Sequence, residues 1–151
     1  MTTEELKSRI LAILPEAEVS LGKQYLEAVV PPDKLHGLAK NLKEEPDLHF
    51  DYLFNLTGAD FPEYMTMYYH LESTVHRHIL VLKARTATRV NPVMDSVYDI
   101  WITAESLERE VYDLLGIKFR NHPDLRRLFL ADDWGHPLRK DYVDEVRIVD
   151  R

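Results

Sequence analysis

Between Leu48 and Thr57 the hydrophobic period of the chain changes. Leu48, Phe50, Tyr52, Phe54 and Leu56 alternate with His49, Asp51, Asn55 and Thr57, and only Leu53 breaks the polar set. A repeat of two places one face of a strand on a core. The flanking patterns repeat as helices do. Upstream, Leu6, Ile10, Ile13 and Leu14 share a helical face that Pro15 ends, and Thr2 and Glu5 have the spacing of a capping box. Leu35, Leu38, Ala39 and Leu42 form a second stripe, opened by Pro31-Pro32-Asp33 and closed by Pro46. A chain that alternates these two periods belongs to the α+β class.

The remaining segments fill in the order. Val19 to Val30 reads as two short strands around a Gly22-Lys23 turn. Gly58 to Pro62 turns the chain, and Met65–Leu71 and His78–Ala84 form a hairpin. After a loop from Thr86 to Pro92, Val97, Ile100, Trp101 and Ala104 fit a short helix. Leu107, Val111, Leu114 and Leu115 fit another, stopped by Gly116 with Ile117 beyond it. The expected order is α-β-β-α-β-β-β-α-α followed by a tail. A helix joins the second strand to the third, which predicts a parallel pair there and a mixed sheet overall. We expect one domain over residues 1–117, a mixed sheet covered by helices, with an extended C-terminal arm over 118–151.

Composition removes several functional classes. The 151 residues include no cysteine, so the chain offers no thiol nucleophile, disulfide or Cys-ligated iron–sulfur cluster. The net charge of −7 opposes a nucleic-acid footprint. No apolar run reaches the ~20 residues of a membrane span, and the N-terminus lacks the pattern of a secretory signal. The glycines are single and scattered, so no phosphate loop is present. Charge is nonetheless patterned: Asp95 to Asp113 is acidic, and Lys118 to Lys140 is basic. The two segments either fold against each other or meet something larger.

Three polar groups invite chemistry. Glu108-Arg109-Glu110 contains two carboxylates, but successive helical residues turn by about 100°, so these two point far apart and cannot flank one substrate. They are expected at opposite edges of the apolar stripe, with Arg109 and Asp113 paired on the polar face. His70, Glu72, His76 and His78 share a parity, and a hairpin centred near Thr74 would set His70 across from His78. Such donors suit zinc or nickel, and a free-standing metal-dependent hydrolase is the reading that follows. Solvated histidines at a hairpin tip are the simpler one. Finally, His122-Pro123-Asp124-Leu125-Arg126-Arg127 and Pro137-Leu138-Arg139-Lys140-Asp141 punctuate the arm. Paired arginines suit carboxylates or phosphates, and an arm this long suits a partner protein.

The run from Glu108 to Phe119, continued by His122 to Arg127, resembles the signature of the 30 kDa subunit of respiratory complex I, which in bacteria is the C subunit of NADH-quinone oxidoreductase. Pro137 to Tyr142 is similar to that family's closing motif, and Phe50-Asp51-Tyr52-Leu53, Asp60-Phe61-Pro62 and Tyr69-His70-Leu71 resemble its middle strands. The likeness covers Phe50 to Tyr142. Ser106, the spacing of Asp133 to His136, and Val143-Asp144 depart from the pattern. The resemblance implies a peripheral-arm subunit with no catalytic, cofactor or metal site of its own. FMN and iron–sulfur clusters would sit on partner subunits. The partners implied are the forty-nine-kilodalton-type subunit and the subunit that holds the last iron–sulfur cluster, in a large hetero-oligomer on the cytoplasmic side of the bacterial inner membrane. The interface residues it suggests are Glu108, Arg109, Glu110, Asp113, His122, Pro123, Arg126, Arg127, Pro137, Arg139, Lys140 and Asp141. An equivalent subunit of a membrane-bound hydrogenase-type complex is the related alternative.

Overall fold

A computed structural model describes residues 2–87, 91–125 and His136. Among these residues the elements are α1 (Thr3–Ile13), β1 (Glu18–Leu21), β2 (Leu26–Val30), α2 (Leu35–Glu44), β3 (Tyr52–Asp60), β4 (Met65–Ser73), β5 (His78–Arg85), β6 (Val93–Asp95), α3 (Ala104–Leu115) and β7 (Lys118–Arg120). The larger sheet is five-stranded and mixed, in the order β1-β2-β5-β4-β3.

Local chemistry places the first helices. The Thr2 hydroxyl accepts the Glu5 N–H at 3.2 Å and starts α1, as the capping-box spacing predicts. All four residues of the second predicted stripe are buried on α2. The β1–β2 turn differs from expectation. It has four residues, with the Gly22 N–H donating to the Tyr25 carbonyl at 2.9 Å. Among the described glycines only Gly116 has positive φ. The extra two residues remove the need for a left-handed Gly22.

The parallel pair is β2 with β5, not β2 with β3. The chain leaves β2 through α2, forms β3 and β4 on the far side, and returns with β5 into the centre. Leu26, Ala28 and Val30 then face the same core as Leu80, Leu82 and Ala84, which lie opposite them in register.

Strand β3 starts later than the alternation suggests and runs on through Gly58-Ala59-Asp60, which were expected to turn. Leu48 and Phe50 are fully buried but precede the strand. Inside β3, Leu53 pairs with Leu71 and Asn55 with His70, so Phe54 is the extra residue of a β-bulge. The bulge flips the side-chain parity. Leu53 and Leu56, three apart, both enter the core, whereas Tyr52 is 44% exposed. Leu53 breaks the alternation because the strand itself breaks there.

A short strand and turns replace the expected helix after Pro92, and a second short strand stands at the start of the segment expected as the arm. Val93–Asp95 pairs in parallel with Lys118–Arg120, forming a second, two-stranded sheet. Residues 96–103 form turns, in which Ile100 and Trp101 N–H both donate to the Val97 carbonyl. The Trp101 indole N–H donates to the Phe50 carbonyl at 2.9 Å, and the Thr103 hydroxyl to Leu53 at 3.0 Å. These bonds seat the N-terminal end of α3 beside the start of β3. At the other end, a Cβ on Gly58 would lie 2.8 Å from Leu115 Cδ1 and 3.4 Å from Val111 Cγ1. Helix α3 thus lies along β3, running in the same direction, and a glycine lets it approach.

Gly58→Val should therefore destabilise the chain by about 1–3 kcal/mol through overpacking against α3. Leu115→Ala in the same chain should recover part of that loss, which urea denaturation of the single and double variants will measure.

Candidate interface helix and its buried carboxylate

The buried residues of α3 include Ala104, Glu108, Val111 and Leu115, spaced as one helical face. Leu107 and Leu114, expected within that stripe, flank it and stay half-buried. Glu108 is consequently not at the edge of the stripe but inside it, with no exposed surface. The fold tolerates a carboxylate there because donors reach it. The Ser96 hydroxyl donates to Oε1 at 2.6 Å and the Val97 N–H to Oε2 at 3.0 Å. Burial pushes the Glu108 carboxyl up to about 7, against the opposite pull of these two hydrogen bonds.

His122 packs beside it, its side chain also buried, with Nε2 3.9 Å from Glu108 Oε1. The tautomer of His122 follows from its partners. Nδ1 accepts the Asp124 N–H at 3.0 Å, so Nε2 carries the proton and donates it to the Glu105 carbonyl at 2.9 Å. The imidazole therefore fastens residues 122–124 to the first turn of α3. His136 does the same at the last turn, with Nδ1 3.0 Å from the Asp113 carbonyl and its ring 5.6 Å from that of Tyr112. Gly116 closes α3 in the left-handed region, at φ 80°. A Cβ on Gly116 would also lie 2.8 Å from the His136 ring, so this glycine both stops the helix and seats the imidazole.

The remaining predicted interface residues divide by position. Asp113 is fully buried rather than on a polar face. The Arg109 guanidinium reaches Glu105 at 3.4 Å. Glu110 is half-buried and Pro123 exposed. Arg126, Arg127, Pro137, Arg139, Lys140 and Asp141 lie outside the described residues. Residues sequence reasoning missed are Ser96 and Val97, whose donors lie far from Glu108 along the chain. Their only signal was a carboxylate at stripe spacing.

The histidine hairpin does not form the arrangement a metal needs. Its register sets Ser73 opposite His78 and Val81 opposite His70, so the two histidines are not across from each other. His76 and His78 each direct Nε2 at a backbone carbonyl, of Pro46 at 2.7 Å and Leu48 at 2.9 Å. Burial holds the imidazoles of His70 and His78 below the usual histidine range. Among the described residues no group of three or more His, Asp or Glu is placed to hold a metal ion. The two histidines at the tip instead staple the hairpin to the segment before β3.

With this geometry in place, comparison with known proteins identifies the class. The family described as "Respiratory-chain NADH dehydrogenase, 30 Kd subunit" matches residues 28–146, and the chain belongs to that family. It is 42% identical over 130 residues to the C subunit of NADH-quinone oxidoreductase of Geotalea uraniireducens, covering 83% of this chain and 77% of that one. With the C subunit of Moorella thermoacetica the identity is 40% over 133 residues, covering 86% and 88%. It is also 51% identical over 119 residues to the C/D subunit of NADH-quinone oxidoreductase of Phocaeicola vulgatus, a match that spans 78% of this chain but 22% of that protein. Among solved structures, a chain of the membrane-bound sulfane sulfur reductase, an archaeal respiratory membrane complex, superposes with a TM-score of 0.80 at 29% identity, covering 95% of this chain and 86% of that one. No helix among the described residues is long and apolar enough to cross a membrane.

The raised Glu108 value predicts a pH dependence of a definite sign. Between its ordinary value of 4.5 and about 7, the folded chain holds a proton that the unfolded chain has lost. The stability this supplies is fully present below about 4.5 and is lost as pH rises through about 7. Urea denaturation at pH 5 and pH 8 should show this loss, on the order of 3 kcal/mol at most, for the wild type and a flatter profile for Glu108→Gln.

Proposed function

We propose that this chain is the non-redox, peripheral-arm C subunit of a proton-translocating NADH-quinone oxidoreductase, where it scaffolds the quinone-reducing module. The observation that carries this reading is the match to the C subunit of Geotalea uraniireducens, which extends over most of both chains. On this reading electrons from NADH pass through neighbouring subunits that hold FMN and iron–sulfur clusters. This chain supplies shape, position and contacts instead. It sits peripherally, on the cytoplasmic side of the bacterial inner membrane.

The partner reading has its own support. Relatives in Phocaeicola vulgatus and Bacteroides fragilis are named as C/D subunits, and this chain matches 22% and 23% of their lengths. A single polypeptide that combines C and D keeps the two units together at high effective concentration. We infer that the D partner, the forty-nine-kilodalton-type subunit, packs directly on this chain, with the subunit that holds the last iron–sulfur cluster nearby. The sulfane sulfur reductase chain stands further off, at 29% identity. The C-subunit relatives are nearer in sequence, at 37%, 40% and 42% identity over most of the chain, and favour NADH and quinone.

Purification of the tagged chain from its native membranes in mild detergent should recover the D partner with iron–sulfur and NADH-oxidising subunits. Recovery with a nickel hydrogenase instead would replace NADH as the donor. Arg126→Glu or Arg127→Glu should reduce this recovery while the isolated chain keeps its melting temperature. A variant that unfolds, or that assembles normally, removes these arginines from the interface.

A further inference from the structure

Strand β3 is an edge of the five-stranded sheet, paired by β4 on one side only among the described residues. Helix α3 packs over one face of β3: a Cβ on Gly58 would point at Leu115 and Val111 of α3 and at Met67 of β4. Between them Leu56, Thr57 and Gly58 of β3 and Glu110, Val111, Leu114 and Leu115 of α3 line a groove of about 170 Å³. The lining is aliphatic apart from Thr57 and the Glu110 carboxylate. Leu107, Glu110 and Leu114 follow one another at helical spacing along α3, all half-buried. Glu110 differs from its neighbours in the same helix. Glu108 is held by Ser96 and Val97, and Arg109 reaches Glu105. Asp113 also has a partner, whereas Glu110 makes no hydrogen bond or ion pair among the described residues.

We propose that this groove and the free edge of β3 receive an extended segment of the D partner, which adds a strand to the sheet. That segment would carry an aliphatic side chain and, two residues away, a lysine or arginine. Spacing and charge select the form of the segment, and the relatives that combine C and D in one chain point to the D partner as its source. Glu110 and Leu114 are four helical residues apart, about 6 Å along the axis. Side chains on one face of a strand repeat every ~6.6 Å, so an extended chain can place a cation at Glu110 and an aliphatic group at Leu114 together. Backbone hydrogen bonds to β3 would supply affinity, and the carboxylate would set register and exclude acidic segments. The inference rests on the assembly proposed above and goes beyond it by naming the surface and the form of the segment it binds.

The test uses the tagged full chain in its native membranes. Glu110→Lys should lower recovery of the D partner about tenfold or more, and Glu110→Gln should lower it less. The melting temperature of isolated Glu110→Lys should match wild type. Independently, hydrogen exchange of wild-type β3 amides should slow about tenfold or more in the assembled complex relative to the free chain. This comparison decides the matter if the Lys variant fails to fold. Partner recovery at the wild-type level in Glu110→Lys, or β3 amides that exchange equally fast free and assembled, would overturn the proposal while leaving the assembly reading intact. Loss of self-association with unchanged partner recovery would assign the groove to a second copy and overturn it too. If the wild-type chain recovers no partner at all, the assembly reading itself fails.

Discussion

The position of α3 depends on a carboxylate that water never reaches. A buried, unsatisfied Glu108 would cost several kcal/mol, so the chain must deliver donors to it. It does so with the Ser96 hydroxyl and the Val97 N–H, both just beyond β6. That requirement fixes where β6 ends and how residues 96–103 turn back toward the helix. The same turn carries Trp101 and Thr103, whose hydrogen bonds reach Phe50 and Leu53 at the start of β3. One buried acid thus links the small sheet, the helix and the edge of the large sheet. Its neighbour His122 is satisfied on both nitrogens and adds the segment after β7 to the same assembly.

The sequence showed most clearly what depends on near neighbours. The stripe of α2, the cap of α1 and the stop at Gly116 are local devices, and the structure contains all three. The parallel partner of β2 depends on a choice made across the sheet, and the local pattern pointed at the wrong strand. Leu53 carried real information that alternation alone could not interpret: an apolar residue out of phase is what a bulge looks like before the register is known. The strands β6 and β7 have three residues each and are too short to show a period. Val97, Ile100, Trp101 and Ala104 have helical spacing because a tight turn also brings such residues to one side.

The candidate site divides along the same line. The density of charge in α3 marked it as a contact element, yet two of its acids face inward. A helix stripe containing an acid reads naturally as a stripe with a polar edge. Only the remote Ser96 and Val97 reveal that Glu108 belongs to the core. Likewise the four residues from His70 to His78 share a parity, but the actual register and the carbonyls of Pro46 and Leu48 turn the tip histidines into staples.

The division between inward and outward groups on α3 has a mechanical consequence. His122 holds the Glu105 carbonyl in the first turn and His136 the Asp113 carbonyl in the last, about 12 Å apart along a helix of this rise. Both imidazoles, Glu108 and the Gly58 approach constrain α3 in rotation and in distance from β3. Its groove-lining residues Glu110 and Leu114 are therefore presented in a fixed register relative to the edge strand. On the proposed function the chain contributes by positioning its neighbours, and positioning requires that the presenting surface not rotate. The buried polar groups of the signature are best understood as what holds that surface still, which is why a helix so rich in charge hides two of its acids and leaves one in the groove.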